Sequence, residues 1–192
     1  MSAATGWLEA IAVYRHPRVA AMLFLGFSAG LPFLLVFSTL SAWLAQAQIE
    51  RGTIGLLSWV GITYSIKFFW APVVDRLRIP LLHGALGRRR SWMLVAQLGM
   101  AAGLAGLALH DPATELGTMV LLALLVAFSS ATQDIAIDAW RIEATALEYQ
   151  GAMSAAYQLG YRIALIVAGA GCLFLAAEYG WQVAYLAMAG LA

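Results

Sequence analysis

"LGTMVLLALLVAFSSATQDIAIDAWR", residues 116–141, opens as an apolar run and closes on two aspartates and an arginine. From Leu116 to about Asp138 it is long enough to cross a bilayer as a helix, which takes roughly 20 apolar residues. Asp134 and Asp138 stand four apart and so share one helical face. An ionisable side chain inside a span costs at least ~2.5–3.5 kcal/mol on insertion scales, so each acid needs a partner or an aqueous cavity.

The rest of the chain has the same character. Of its 192 residues, 62% are hydrophobic and 11% charged, and the mean hydropathy is +0.81. Soluble domains run nearer a quarter charged, so the composition reads as a polytopic membrane protein. Candidate spans are 19–44, 53–74, 92–110, 116–138, 152–177 and 181–192. The last is too short to cross and ends without a polar flank, so a truncated sixth helix in part of a longer protein is expected. Residues 1–18 are read as a cytoplasmic N-terminal segment. Its Arg15, His16 and Arg18 precede a run reaching Leu44, longer than a cleavable signal allows, so the first helix is read as retained.

Lys and Arg set the orientation. Arg15 and Arg18 precede the first span, Arg76, Arg78, Arg88, Arg89 and Arg90 follow the second, and Arg141 follows the fourth. The remaining loops hold only Arg51. The N-terminus and the even-numbered loops are therefore expected in the cytoplasm. Trp43, Trp70, Trp92, Trp140 and Trp181 near span ends read mainly as an interfacial belt. Gly26/Gly30 and Gly99/Gly103 predict close helix packing, and Pro32 a kink in the first span. The lone Cys172 supports neither a disulfide nor a thiolate metal site. His16, His83 and His110 are scattered among loops, so no metal site is expected. A nucleic-acid patch does not suit so short a basic loop beside a membrane.

Four charges fall in or near spans: Lys67, Asp134, Asp138 and Arg162. Lys67 lies seven residues before Val74, and Asp134 seven before Arg141, so both sit ~10 Å in from the same side. Equal depth permits a pair between them. Asp138, three residues before Arg141, suits a local ion pair. Arg162 lies ~16 Å deep, close to the midplane. "YQLGYR" sets Tyr157, Gln158 and Tyr161 within two turns of it. A guanidinium donates two parallel hydrogen bonds to a carboxylate or phosphate, so Arg162 reads as a substrate clamp or as half of a structural salt bridge with Asp134 or another acid. Asp134 reads as a gating or proton-coupling acid or as a structural ion pair. An acid that loses and regains its cation as helices rock binds and releases a proton. In the basic loop 70–92, Asp75 meets a run of arginines, a membrane anchor and also a means of locking one gate.

Asp75-Arg76 followed by Gly87-Arg88-Arg89-Arg90 resembles the loop motif of the major facilitator superfamily. "SAGLPFLL", "KFFWAPVVDR", "GRRRSW", "SSATQDIAIDAWR" and "LGYRIALIVAGAG", in this order, resemble the AmpG-type muropeptide permeases of that superfamily over nearly the whole chain. Its acetyl-CoA transporters share parts of the pattern. The resemblance implies an all-α integral membrane fold in which this chain is the N-terminal six-helix bundle, its last helix truncated and the C-terminal half absent. It implies proton-driven import of anhydromuropeptides across the bacterial inner membrane, no enzyme activity and no cofactor beyond the proton gradient. Partners would be a sugar-peptide, protons, lipids and the other half of the protein. On this reading Arg162, Gln158, Tyr161 and Tyr157 bind substrate, while Asp134, Lys67, Asp138, Asp75 and Arg76 couple protons or gate. The competing readings are a carrier of another bulky anion such as acetyl-CoA, a membrane enzyme acting on lipid-linked substrates, and a non-transporting membrane module.

Overall fold

A chain inside a bilayer has no water for its N–H and C=O groups and must satisfy them within helices. The computed structural model describes residues 12–192, so residues 1–11 of the N-terminal segment 1–18 lie outside the described residues. Within that range the chain is all-helical. We label the helices α1 (Pro17–Val36), α2 (Ser38–Gln46), α3 (Arg51–Leu57), α4 (Ile62–Ser65), α5 (Ala71–Arg76), α6 (Leu82–Leu86), α7 (Arg88–Leu109), α8 (Leu116–Ala144), α9 (Gln150–Ile166), α10 (Cys172–Tyr179) and α11 (Trp181–Leu191). Four stretches among the described residues are long and apolar enough to cross a membrane: Pro17–Gln46, Arg88–Leu109, Leu116–Ala144 and Leu147–Tyr179.

The second expected span, 53–74, is not one helix. It is a chain of short pieces: α3, a 3-10 turn over Ser58–Gly61, α4, a second 3-10 turn over Lys67–Phe69, and α5. Gly52, Gly55 and Gly61 and several β-branched residues lower its helical propensity. Pro72 lacks an N–H and disfavours helical backbone at the residue before it. The first span is interrupted too, at Phe37 (φ −100°, ψ −92°) and not at Pro32, which lies inside α1. Near that break the Leu35 carbonyl accepts a hydrogen bond from the buried Tyr185 hydroxyl at 2.8 Å. The fifth rod passes through a π turn at Val167–Gly171, where the Ala168 carbonyl accepts from Thr39 Oγ1 at 2.9 Å.

Small residues bring the rods together. α9 lies along α1, α7 along α8, and α11 against α7, while the broken second rod packs on α8. At the α1–α9 seam, a Cβ on Gly26 would land on the Tyr157 backbone, and one on Gly160 on the Leu23 carbonyl. A Cβ on Gly30 would come within 2.7 Å of the Tyr161 carbonyl oxygen. Gly99 and Gly103 likewise meet Ser129 and Val126 of α8. Without a hydrophobic force between helices in lipid, this close approach and interhelical hydrogen bonds hold the bundle.

Apolar packing divides between two ends. Val19, Met22, Met93, Ile137 and Met153 pack at the arginine-rich end. Leu35, Leu40, Trp43, Leu104 and Tyr185 pack toward the other, where Trp43 stacks on Trp181 at 5.6 Å. Between the rods sits a polar knot. Fully buried Gln133 of α8 donates to Ser28 Oγ of α1 at 3.0 Å, Gln97 of α7 donates to the same oxygen at 3.3 Å, and Ser28 donates to the Ala192 carbonyl at 2.8 Å.

Candidate functional site

Lys67 and Asp134 meet. Nζ of Lys67 lies 3.4 Å from Oδ2 of Asp134 and joins the broken second rod to α8. One turn from the lysine, Trp70 fixes the same seam: its indole N–H donates to Thr132 Oγ1 at 3.1 Å and its ring lies 4.8 Å from that of Phe128. Trp70 is therefore tied into the bundle. Thr132 in turn donates to the Phe128 carbonyl at 2.7 Å. Held from both sides, Asp134 leaves its second oxygen, Oδ1, buried without a hydrogen-bond partner.

α9 presents a sorted surface to this pair. Successive residues turn by ~100° around a helix, so seating Gly160 against Leu23 of α1 fixes where the others fall. Tyr157, Tyr161 and Ser154 occupy the flank toward α8. Ser154 accepts from Arg141 at 3.0 Å, and both tyrosines lie within electrostatic reach of Asp134. Gln158 and Arg162 continue this flank onto the sector opposite α1, where both are exposed. The remaining flank is apolar: Ile163 lines a shallow groove with Leu23, Phe24 and Phe27. Tyrosine, glutamine and arginine thus form one contiguous polar strip beginning beside Asp134.

The structure brings Asp134, Lys67, Tyr157 and Tyr161 into one cluster, with Gln158 and Arg162 at its open edge. The Arg162–Asp134 salt bridge, one of the readings left open by the sequence, does not form; Lys67 holds the acid. Among the described residues Arg162 makes no ion pair. Asp138 pairs locally with Arg141 at 3.7 Å, with its carboxylate largely exposed.

Asp75 stands apart at the arginine-rich end. It accepts from Arg89 Nη1 at 2.6 Å, and Glu143 of α8 accepts from the same guanidinium at 2.7 Å through Nη2 and 3.1 Å through Nε. Arg88 adds a looser contact to Glu143 at 3.8 Å. Arg18 reaches the Ala144 carbonyl at the end of α8. These contacts tie the ends of the first four rods together through one arginine bridging two acids and one capping arginine. Arg76 is exposed and takes no part. Sequence reasoning missed Glu143 as a partner, although its place two residues after Arg141 at the same membrane edge was the available signal. It also missed Gln133, hidden in an apolar run.

The sequence pattern of the Major Facilitator Superfamily matches residues 22–192. An anhydromuropeptide permease of Escherichia coli (strain K12) is 41% identical over 180 residues, covering 93% of this chain and 36% of the permease. A putative transporter, AmpG 4, of Rickettsia conorii is 35% identical over 179 residues, covering 92% of this chain and 43% of that protein. The chain therefore spans well under half the length of these relatives. The polar strip, the basic loop and the paired rods sit within the matched region, and the chain belongs to the major facilitator superfamily.

Proposed function

We propose that the chain is the N-terminal half of a secondary transporter that carries anhydromuropeptides across the bacterial inner membrane into the cytoplasm, driven by protons. The observation that carries this reading is the exposed strip of Tyr161, Gln158 and Arg162 beside the Lys67–Asp134 pair. Polar and ionisable groups at membrane depth mark a solute path or a proton relay. The likeness to a permease named for anhydromuropeptides supplies the substrate class. A sugar-peptide carries carboxylates, amides and hydroxyls. Arg162 matches the first through its fork, Gln158 the second, and Tyr157 and Tyr161 the third or a sugar face. A second six-helix half would close this strip into a cavity.

In the same reading the arginine-rich end faces the cytoplasm, following the positive-inside rule. Asp75, Arg89 and Glu143 form a latch there that must open or re-form as the halves rock. Arg76 and Asp138 then face anionic lipid and solvent at the cytoplasmic mouth. Asp134 couples protons: with Lys67 engaged it is an ion pair, and when the lysine withdraws the carboxylate accepts a proton.

Uptake of labelled anhydromuropeptide by proteoliposomes of the full-length protein tests this, with and without an imposed proton gradient. Wild type accumulates substrate only with the gradient. Asp134→Asn binds substrate but neither accumulates it nor responds to pH between 5 and 8. If Asp134→Asn matches wild type across that range, the coupling role is wrong. If the full-length protein moves acetyl-CoA and not the muropeptide, the substrate is wrong.

A further inference from the structure

Phe33 of α1 keeps 42% of its surface exposed in the middle of the first span. α1 and α9 run side by side in one direction: Gly26 meets Tyr157, Gly30 meets Tyr161, and Thr39 reaches Ala168. Phe33 stands three residues past Gly30, so it sits ~4.5 Å farther along the seam than Tyr161.

Contacts with the broken second rod fix the side of α1 that Phe33 occupies. Its ring meets that of Tyr64 on α4 edge-on at 6.5 Å and that of Phe37 at 5.2 Å between centroids. Phe37 lies 6.2 Å from Tyr64, and a Cβ on Gly61 would come within 3.1 Å of the Phe37 ring. α4 packs on α8, and Lys67, about one turn past Tyr64, pairs with Asp134 of that helix. Phe33 is therefore turned to the α8 side of the α1–α9 seam, the side on which Tyr157 and Tyr161 lie. Phe24 is the contrast. It precedes Phe33 by nine residues, which at ~100° each is half a turn around the helix, and it lines the apolar groove with Leu23, Phe27 and Ile163.

An open aromatic ring bordered by tyrosines on one helix and a lysine–aspartate pair on another suits a ligand with an apolar face and a polar rim. A pyranose is such a ligand. Its C–H bonds face the electron-rich side of an aromatic ring, and its hydroxyls radiate outward to donors and acceptors around the platform. A lipid tail has no polar rim to match these neighbours. Resting on the reading of the polar strip as the substrate path, we propose that Phe33, steadied by Phe37 and Tyr64, is the platform on which the sugar of the substrate stacks. Arg162 then takes the peptide carboxylate. The substrate lies crosswise, its sugar on α1 and its peptide on the open edge of α9, and the two ends are recognised separately.

The test is binding of labelled anhydromuropeptide to the full-length protein, and its displacement by the sugar part without peptide and by the peptide part without sugar. Phe33→Leu is expected to weaken the muropeptide and the sugar part on the order of tenfold and to leave the peptide part unchanged. Phe33→Trp keeps an aromatic face and binds the sugar part as wild type does. Arg162→Ala spares the sugar part and weakens the peptide part. Phe24→Leu, which removes an exposed ring from the opposite side, changes none of the three. Muropeptide binding unchanged in Phe33→Leu, equal weakening of both parts, or a sugar part that displaces nothing from wild type overturns the platform. A wild-type protein that binds no muropeptide removes the transport reading beneath it.

Discussion

On the proposed function, full-length protein carrying Arg162→Ala is expected to insert into the membrane at wild-type levels and to take up no anhydromuropeptide above background. The structure explains why insertion and transport separate. Arg162 makes no ion pair among the described residues and lies opposite the α1 contact, so its loss leaves the bundle's packing intact. What is lost is a planar fork at the open edge of the polar strip. Two charge-assisted hydrogen bonds to a carboxylate contribute about 3 kcal/mol or more, so substrate affinity falls by on the order of 100-fold at least. Arg162→Lys is expected to fail as well. A lysine keeps the charge but presents a compact ammonium on a flexible stem in place of the bidentate geometry. The check is equilibrium binding of labelled substrate alongside uptake. Normal uptake by Arg162→Lys would remove the clamp and leave only a general need for positive charge.

The other large effect is on the bundle itself. Gly160→Ala is expected to lower the apparent melting temperature by several degrees and to reduce the yield of folded protein, although it adds one methyl group. That methyl would sit on the Leu23 backbone carbonyl, and backbone cannot rotate away as a side-chain tip can. The cost lies at or above the ~1–3 kcal/mol of ordinary overpacking. Gly151 of the same helix is the control. A Cβ there meets nothing within 4 Å, so Gly151→Ala is neutral or slightly stabilising, alanine being the better helix former. Thermal denaturation of the two variants in the same detergent separates a packing requirement from a general dislike of substitution in α9. Equal melting temperatures would mean that the α1–α9 seam is looser than the structure places it.

Much of the fold was legible because bilayer thickness imposes a length on any apolar run. The runs at 92–110, 116–138 and 152–177 emerge as long rods, each extended past an expected edge by a turn or more. Arg88–Arg90 begin α7, Arg141 and Glu143 lie in the last turns of α8, and long polar side chains reach water from such ends. The second span was not legible as it is. Hydropathy reports that residues 53–74 are apolar, but the breaks arise from glycine, β-branching and Pro72 acting together with packing on α8. The interruption at Phe37 in place of Pro32 has the same lesson, since a proline's freed carbonyl can be accommodated locally while a tertiary hydrogen bond from Tyr185 stabilises a break elsewhere.

For the site, depth counting allowed a Lys67–Asp134 pair without showing that the two residues face each other; the structure places them 3.4 Å apart. The Asp138–Arg141 pair followed from helical spacing alone. Counting could not show that Arg162 makes no ion pair among the described residues. That depends on rotation about the helix axis, which the glycine contacts of α9 with α1 set and the sequence does not display.

In the proposed transporter the strip of Tyr161, Gln158 and Arg162 faces a watery interior of the full-length protein, while the Phe24–Ile163 flank faces lipid. Thiol accessibility measures this most directly. With the buried Cys172 replaced by alanine, single cysteines at 158, 162 and 163 are exposed in intact vesicles to a charged, membrane-impermeant thiol reagent, with and without substrate. Labelling is expected to be rapid at 158 and 162, slowed there by anhydromuropeptide, and slight at 163. Equal, substrate-insensitive labelling at all three positions, or labelling confined to 163, would contradict it.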